Sequence, residues 1–192
     1  MSAAGRIGPN AILRVAEALQ RRGRADEVFR VAGLEHHLAT PPAAMVDEDD
    51  ARRLHAALRT TLGVAQAEQV AREAGEATAA YLLAHRIPKP VQALLRVLPA
   101  PLAARMLLAA ITRHAWTFAG SGEFEARPGR PVVLTIRHNP LCRGLRREAP
   151  ACAYYAATFE RLFRVLVHRA STVTETRCEA RGDRACRFEI RW

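Results

Sequence analysis

Residues 175–190 have the sequence ETRCEARGDRACRFEI, which predicts a β-hairpin close to the end of the chain. Gly182 and Asp183 favour a turn in its middle. After the turn, apolar and charged residues alternate, as they do in a half-buried strand. A three-residue loop centred on Gly182 would place Cys178 opposite Cys186 on one face of the hairpin. Two facing thiols can form a disulfide or supply half of a metal site.

The first half of the chain has the periodicity of amphipathic helices, with apolar residues three and four positions apart. Gly, Pro and charged residues mark where these helices begin and end. We predict helices at 9–22, 26–32, 49–62 and 64–86, and a loop at 35–42.

Residues 91–112 are strongly apolar, and Pro99 and Pro101 divide them into two short helices. Each helix is too short to span a bilayer. The stretch could belong to the core, form an interface with a partner, or lie on a membrane surface. The core is the default among these three.

Beyond residue 113 the apolar residues change to the two-residue period of strands. We predict strands at 114–119, 123–125 and 132–137, and a helix at 151–167 before the closing hairpin. Helices followed by a mostly antiparallel sheet with one packed helix indicate an α+β fold. We expect a helical N-terminal region at 1–90 and a ligand-binding domain at 91–192, packed as one globular unit.

The charge of the chain is uneven, because residues 1–126 carry a net +2 and residues 127–192 a net +8. Basic surface attracts anions such as nucleic acid, anionic lipid or carboxylate-bearing ligands. A general preference for Arg is the alternative, since Lys89 is the only lysine. The sequence has neither a signal-peptide core nor a membrane-spanning apolar run, so we expect a cytoplasmic protein. In that compartment, paired cysteines favour metal or redox roles over a structural disulfide.

Three cysteines and one glutamate are candidate metal ligands. Cys152 lies in the first turn of the predicted final helix, where the helix dipole stabilises a thiolate. Cys178 and Cys186 converge on the hairpin, and Glu175 precedes Cys178 by three residues. Three thiolates and a carboxylate suit a tetrahedral zinc ion. Strict alternation puts Glu175 and Cys178 on opposite faces, so this ligand set requires a β-bulge between them.

Two alternatives to this ligand set stay open. Without a CxxC motif, the cysteines could simply be small buried hydrophobic residues. Cys142, in an Arg-rich loop, could also take the place of Cys152.

Several motifs of redox and nucleotide-dependent enzymes are missing. Gly120-Ser-Gly122 lacks the third glycine and the following helix of a dinucleotide-binding fingerprint. The chain has no phosphate-binding loop and no HExxH motif, and its cysteine spacing differs from that of iron–sulfur proteins. The sequence therefore shows no binding site for a hydride or electron donor, which argues against an autonomous redox enzyme.

Four residues are candidates for a pocket that holds a flat ligand. Trp116 and Phe118 offer aromatic surface, and His114 or His138 could be the axial ligand of a chelated metal. The alternative is that both aromatic residues belong to the core and both histidines lie at strand ends.

The motifs together resemble the 4-vinyl reductase domain family. The likeness rests on WTFAGSGEF at 116–124, RHNPL at 137–141, Cys152, and the spacing ExxCxxxGDxxCxF that begins at Glu175. It covers most of the chain and is most specific from residue 113 onward. The resemblance implies an α+β fold related to subunits of the TRAPP complex, with a small hydrophobic ligand bound between helices and sheet. In phenol-binding sensor relatives three cysteines and a glutamate hold zinc, and the matching residues here are Cys152, Glu175, Cys178 and Cys186.

The resemblance also implies a role in bacteriochlorophyll biosynthesis. We expect a carrier or accessory factor that binds a tetrapyrrole, either Mg-protoporphyrin or divinyl protochlorophyllide, and hands it to magnesium chelatase or the methyltransferase of the pathway. The alternatives are a divinyl protochlorophyllide 8-vinyl (4-vinyl) reductase and a sensor domain for hydrophobic small molecules. We expect no nucleic-acid partner, and a homodimer and peripheral contact with the photosynthetic membrane stay open.

Overall fold

The structure is a computed structural model that describes residues 5–192. Most of the helices precede the sheet, and one helix interrupts it. The helices are α1 (Asn10–Gln20), α2 (Ala25–Ala32), α3 (His36–Ala39), α4 (Glu48–Leu62), α5 (Val64–His85), α6 (Lys89–Val97), α7 (Ala100–Arg113), α8 (Trp116–Ala119) and α9 (Ala153–Leu166). The strands are β1 (Arg6–Ile7), β2 (Val46–Asp47), β3 (Glu123–Arg127), β4 (Val132–Arg137), β5 (Thr172–Arg177) and β6 (Cys186–Arg191). Two short 3-10 turns lie at Pro140–Cys142 and Glu179–Arg181.

The four longer strands form one antiparallel sheet in the order β3–β4–β6–β5. Alternate residues of β4 and β6 are buried, so one face of the sheet belongs to the core. The helix α9 covers that face, and its Tyr155 and Phe159 rings lie 6.4 Å and 5.6 Å from the ring of Phe188 in β6. The helices, the antiparallel sheet and its packed helix confirm the α+β prediction.

One hydrophobic core runs through both halves of the chain. Buried residues of the N-terminal helices, such as Ile12 and Leu54, belong to the same cluster as Phe163 of α9 and Phe188 of β6. The N-terminal helices, α9 and the buried face of the sheet therefore share one core. Among the described residues, none of the helices combines the length and apolar character needed to cross a membrane.

The longest helix, α5, approaches α9 closely at Gly75. A Cβ atom at this position would lie only 2.2 Å from the carbonyl oxygen of Tyr154. The Thr158 hydroxyl donates a hydrogen bond to the Gly75 carbonyl at 3.0 Å, which fixes the crossing of the two helices. Only glycine allows this backbone-to-backbone approach.

We therefore expect Gly75→Ala to lower the free energy of unfolding by about 1–3 kcal/mol or more, because overpacking forces α5 and α9 apart. Urea unfolding monitored by circular dichroism measures the change. Glu76→Ala, at the exposed next position of the same helix, is the control and should change stability by less than about 0.5 kcal/mol. Equal stability of the two variants would show that the helix crossing tolerates a methyl group.

The predicted helices at 9–22, 26–32, 49–62 and 64–86 are confirmed, and so is the division of 91–112 into two helices. The strands predicted at 123–125 and 132–137 are confirmed as β3 and β4. The predicted loop at 35–42 contains a short helix, α3, and the two-residue strands β1 and β2 carry no alternation that could reveal them.

The strand predicted at 114–119 is wrong, since this segment is the helical turn α8. Backbone hydrogen bonds three and four residues apart hold it, including Phe118 N–H to the Ala115 carbonyl at 3.0 Å. Alternation over six residues is too short to distinguish a strand from a helical turn. The two aromatic residues also face different surroundings, because Trp116 is exposed and Phe118 packs against Phe124 and Phe159.

Candidate functional site

Four buried cysteine thiols meet where the sheet joins α9. Cys142 ends the 3-10 turn that follows β4, Cys152 directly precedes α9, Cys178 follows β5, and Cys186 begins β6. All four sulfur atoms lie within 4.8 Å of one another. The Cys186 sulfur is 3.5 Å from those of Cys142 and Cys152 and 4.0 Å from that of Cys178. The cluster therefore joins four separate segments of the C-terminal half.

The spacing of the sulfur atoms fits a tetrahedral zinc ion. Zinc–sulfur bonds of about 2.3 Å place the sulfurs of a tetrahedral site about 3.8 Å apart. The measured separations that involve Cys152, Cys178 and Cys186 are 3.5–4.0 Å, and all four cysteines are free thiols. A site closed by four protein sulfurs leaves no open position for substrate or water, so it would stabilise the fold.

The hairpin contains the β-bulge that the predicted ligand set required. Glu175 pairs with Phe188, whereas Arg177 pairs with Arg187, so one extra residue is inserted in β5. This bulge turns Glu175 toward the cluster. One oxygen of its carboxylate accepts a hydrogen bond from the Cys152 backbone N–H at 2.9 Å.

The structure brings Cys152, Cys178 and Cys186 together as predicted, and the fourth member of the cluster is Cys142. The Glu175 carboxylate lies beside the cluster, and its oxygens are not among the four ligand atoms that converge, which are all cysteine sulfurs. Cys142, which the sequence offered as an alternative to Cys152, lies in the cluster beside it. The connection between Cys178 and Cys186 is also longer than the predicted three residues, since the 3-10 turn Glu179–Arg181 lies within it. Metal binding itself stays a prediction.

The segment that carries Cys142 is held by polar contacts at Asn139 and Glu179. Asn139 is fully buried, and its side-chain nitrogen donates to the Cys152 sulfur at 3.3 Å. The Glu179 carboxylate accepts hydrogen bonds from the backbone N–H groups of His138 and Asn139 at 2.6 Å and 2.9 Å. Such contacts fix the orientation of the sulfur atoms before any metal binds.

A half-buried arginine from the N-terminal half lies next to the cluster. One Nη of Arg59 in α4 donates to the Ala151 carbonyl at 2.7 Å, and the other donates to the His55 carbonyl at 2.6 Å. Burial lowers the pKa of Arg59, and the charge that Cys152 carries when it is a thiolate opposes that shift. The positively charged guanidinium therefore lies at the carbonyl of Ala151, the residue that precedes Cys152. Arg59 lies outside the motifs noted in the sequence and Asn139 lies within RHNPL, but only the folded chain shows the contacts that both make with the cluster.

The thiols of Cys152, Cys178 and Cys186 are shifted in pKa in different directions. Hydrogen bonds from the other three cysteines lower the pKa of Cys178, whereas mutual hydrogen bonds raise the pKa of Cys152 and Cys186. Burial, followed by the charge of Cys178, raises the pKa of Glu175 to about 8. A thiolate is therefore favoured at Cys178, and a metal ion bound by these sulfurs would displace the thiol protons of Cys152 and Cys186.

The four residues predicted to bind a flat ligand are spread over the surface and the core. His114 is exposed at the end of α7, and Trp116 is 61% exposed. Phe118 belongs to an aromatic group with Phe124 and Phe159, and its carbonyl accepts the hydroxyl of a core tyrosine. His138 is exposed after β4 with a φ of 54°. None of the four lines the cleft described next, and their role stays a prediction.

A cleft of about 220 Å³ opens between α7 and the turn that joins β3 to β4. Its lining includes two arginines, Arg105 and Arg130, and one aromatic residue, Trp192, among small and apolar residues. A second cleft of about 120 Å³ shares Arg130 and Trp192 with the first. The lining residues of the larger cleft are Pro101, Ala104, Arg105, Pro128, Gly129, Arg130, Val132 and Trp192.

Comparison with known proteins places the chain in a family. The family model of the 4-vinyl reductase domain matches residues 132–192, which contain all four cysteines. The bacteriochlorophyll synthase 23 kDa chain of Cereibacter sphaeroides is 46% identical over 97% of this chain and 91% of its own length. The protein of the same name from Rhodobacter capsulatus is 46% identical over 96% of this chain and 86% of its own length.

The fold has a broader distribution than the sequence family. A solved H-NOX structure, from work on heme distortion in that family, superposes with a TM-score of 0.58 and covers 97% of this chain and 95% of its own. At 14% sequence identity, this likeness concerns the fold alone. The domain match confirms the resemblance to the 4-vinyl reductase domain family, and the sequence identity shows that the chain belongs to the family of the bacteriochlorophyll synthase 23 kDa chain.

Proposed function

We propose that this protein acts in bacteriochlorophyll biosynthesis by binding a tetrapyrrole intermediate, Mg-protoporphyrin or divinyl protochlorophyllide, as a carrier or accessory factor. The observation that carries the proposal is the 46% identity to the bacteriochlorophyll synthase 23 kDa chain over nearly the whole length. This identity supports involvement in bacteriochlorophyll biosynthesis. The carrier role rests further on the chemistry of the cleft.

The cleft between α7 and the β3–β4 turn has the groups that a porphyrin-type ligand needs. Propionate carboxylates are recognised by guanidinium groups through charge-assisted hydrogen bonds, and Arg105 and Arg130 both line the cleft. The indole of Trp192 offers a flat face for stacking against a macrocycle. The H-NOX structure that shares this fold comes from work on heme, which is itself a tetrapyrrole.

The cleft is smaller than the 300–1,000 Å³ of typical ligand pockets, so a macrocycle would enter by one edge. A ligand held in this way stays largely open to solvent and to another protein. Partial burial suits a carrier, because the pigment must pass on to the next enzyme. We propose the methyltransferase of the pathway as the acceptor of Mg-protoporphyrin, and magnesium chelatase, which inserts the metal, as the donor.

We also propose that the four-cysteine cluster holds a structural zinc ion. The ion would join the end of β4, the start of α9 and both strands of the hairpin. Cys142, Cys152, Cys178 and Cys186 would bind it, and Asn139 and Arg59 would position and charge-compensate them. The cluster and the cleft have no lining residue in common. Zinc would therefore act on the stability of the domain, and the pigment would bind elsewhere.

Titration of the purified protein with Mg-protoporphyrin and divinyl protochlorophyllide tests the carrier proposal. We expect the Soret band to shift with saturation at micromolar protein. Arg130→Gln should weaken binding on the order of tenfold, because it removes a hydrogen bond to a charged group. Arg169→Gln, at an exposed position outside the cleft, should leave binding unchanged. The absence of a shift with either pigment would refute the proposal.

The same sample distinguishes the alternatives. Conversion of divinyl to monovinyl pigment after addition of NADPH or reduced ferredoxin would establish a reductase. A shift without conversion supports a carrier. Binding of phenols but of neither pigment would favour the sensor interpretation.

A further inference from the structure

The segment from residue 77 to residue 122 contains no Asp and no Glu, although the chain has 19 acidic residues. It contains five basic residues, and all of them are exposed. In the described structure none of the five forms a salt bridge, whereas arginines in α1, α4 and β6 do. The segment is therefore a long, uniformly positive part of the surface. The five residues are Arg86, Lys89, Arg96, Arg105 and Arg113.

The same segment exposes large apolar side chains. Six of the eight exposed large hydrophobic residues of the described structure belong to it. Val97 is 79% exposed and Trp116 is 61% exposed, which are the two highest values of the eight. The six residues are Val91, Leu94, Val97, Leu102, Met106 and Trp116.

The apolar residues follow helical spacing on the outer faces of α6 and α7. In α6 only Gln92 and Leu95 are buried, and the exposed Leu94 and Val97 lie on the opposite side. In α7 the positions 102, 106, 109 and 113 are all exposed and form one stripe that ends at Arg113. Each helix thus exposes apolar side chains beside cations on its outer face, and α7 also buries an apolar inner face that includes Leu107, Leu108 and Ile111.

A buried polar side chain fixes α6 in this orientation. The Gln92 amide nitrogen donates hydrogen bonds to the carbonyls of Leu83 and Ile87 at 2.5 Å and 2.8 Å. The Leu83 carbonyl lies in the last turn of α5, where backbone acceptors lack partners within the helix, and Ile87 lies just beyond the end of α5. Because the amide points inward, Leu94 and Val97 must point outward. The exposure of the apolar face is therefore built into the fold.

We infer that the outer face of α6 and α7 lies on an anionic lipid membrane. A helix with an apolar face and flanking cations lies in the plane of the interface, where acyl chains meet anionic headgroups. Each cation near such a surface strengthens binding about fivefold. The exposed indole of Trp116, just after α7, is a side chain that membrane interfaces favour.

The charge of the face argues against its burial by a second copy of the chain. Self-association would bring five unpaired cations against five others with no acidic residue between them. A lipid surface supplies the missing negative charge as phosphate. This inference goes beyond pigment binding and does not depend on it.

Vesicle flotation with the full chain tests the inference. We expect binding to vesicles of phosphatidylcholine with phosphatidylglycerol that is at least tenfold tighter than binding to phosphatidylcholine alone, and that weakens with salt. Leu94→Ser combined with Val97→Ser should reduce binding on the order of tenfold or more. The matched control is Val31→Ser combined with Val64→Ser, which changes two exposed valines outside the segment.

A second pair of double variants tests the contribution of the positive charges. Arg96→Gln combined with Arg113→Gln should also weaken binding on the order of tenfold. Arg30→Gln combined with Arg169→Gln, at exposed positions elsewhere, should have a smaller effect. Thermal unfolding of each variant shows that it is folded.

Three results would overturn the inference. They are equal binding to both kinds of vesicle, equal loss in the variants and their controls, or a dimer in analytical ultracentrifugation that Leu94→Ser and Val97→Ser dissociate. The last result would identify the face as a protein interface.

Discussion

Replacement of Cys178 by serine is expected to abolish stoichiometric zinc binding and to lower the thermal midpoint by on the order of 10 °C or more. The Cys178 sulfur lies 4.0 Å from those of Cys152 and Cys186. Serine is a much weaker zinc ligand than a thiolate, and it also buries an unpaired hydroxyl. Structural zinc contributes about 10–16 kcal/mol in zinc-finger peptides, but a 192-residue chain with its own core should lose only part of this. Elemental analysis and calorimetry measure the two effects.

Ala180→Ser is the matched control, since it buries a hydroxyl beside the cluster without removing a sulfur. It should retain zinc. If Cys178→Ser retains zinc as well, or loses it without any change of midpoint, the cluster does not hold a structural metal.

The pair Cys142→Ser and Glu175→Gln decides which residue is the fourth ligand. Because Cys142 converges on the other sulfurs and the Glu175 carboxylate accepts the Cys152 N–H, Cys142→Ser should lose zinc and Glu175→Gln should retain it. The reverse outcome would restore Glu175 to the ligand set.

The second large effect is expected from Arg59→Met, which should lower the free energy of unfolding by about 3 kcal/mol. The Arg59 guanidinium donates to the Ala151 carbonyl, and thiolate charge at Cys152 or Cys142 favours its protonated form. Its removal leaves that carbonyl unpaired and the charge of a zinc–thiolate centre uncompensated. Zinc affinity, measured by chelator competition, should therefore fall together with stability.

Arg59→Lys keeps the charge but cannot reproduce the two hydrogen bonds, so its effect should be intermediate. Arg52→Met, on the same helix, removes only a partly exposed ion pair with Asp49 and should cost less than about 1 kcal/mol. Unchanged zinc affinity in Arg59→Met would show that the guanidinium serves packing alone.

The sequence predicts those parts of the fold whose pattern is local and long. The strand at 132–137 and the helix at 64–86 have clear periodicity, and both appear in the structure with nearly the predicted bounds. Segment 114–119 has only six alternating residues, and its backbone closes a helical turn instead.

The candidate metal site could be predicted only in part, because its members are joined by long-range contacts. The spacing of Cys178 and Cys186 on one hairpin is visible in the sequence, and so is the need for a bulge at Glu175. The approach of Cys142 depends on how the loop after β4 folds. Arg59 contacts Ala151 across 92 positions of the chain, which no local pattern can reveal.

X-ray absorption at the zinc edge of the purified protein tests most directly whether the four thiols form a metal centre. Stoichiometric zinc surrounded by four sulfur atoms at about 2.3 Å is the expected result. Three sulfurs with one oxygen at about 2.0–2.2 Å would contradict the role of Cys142, and protein without zinc would contradict the metal centre itself.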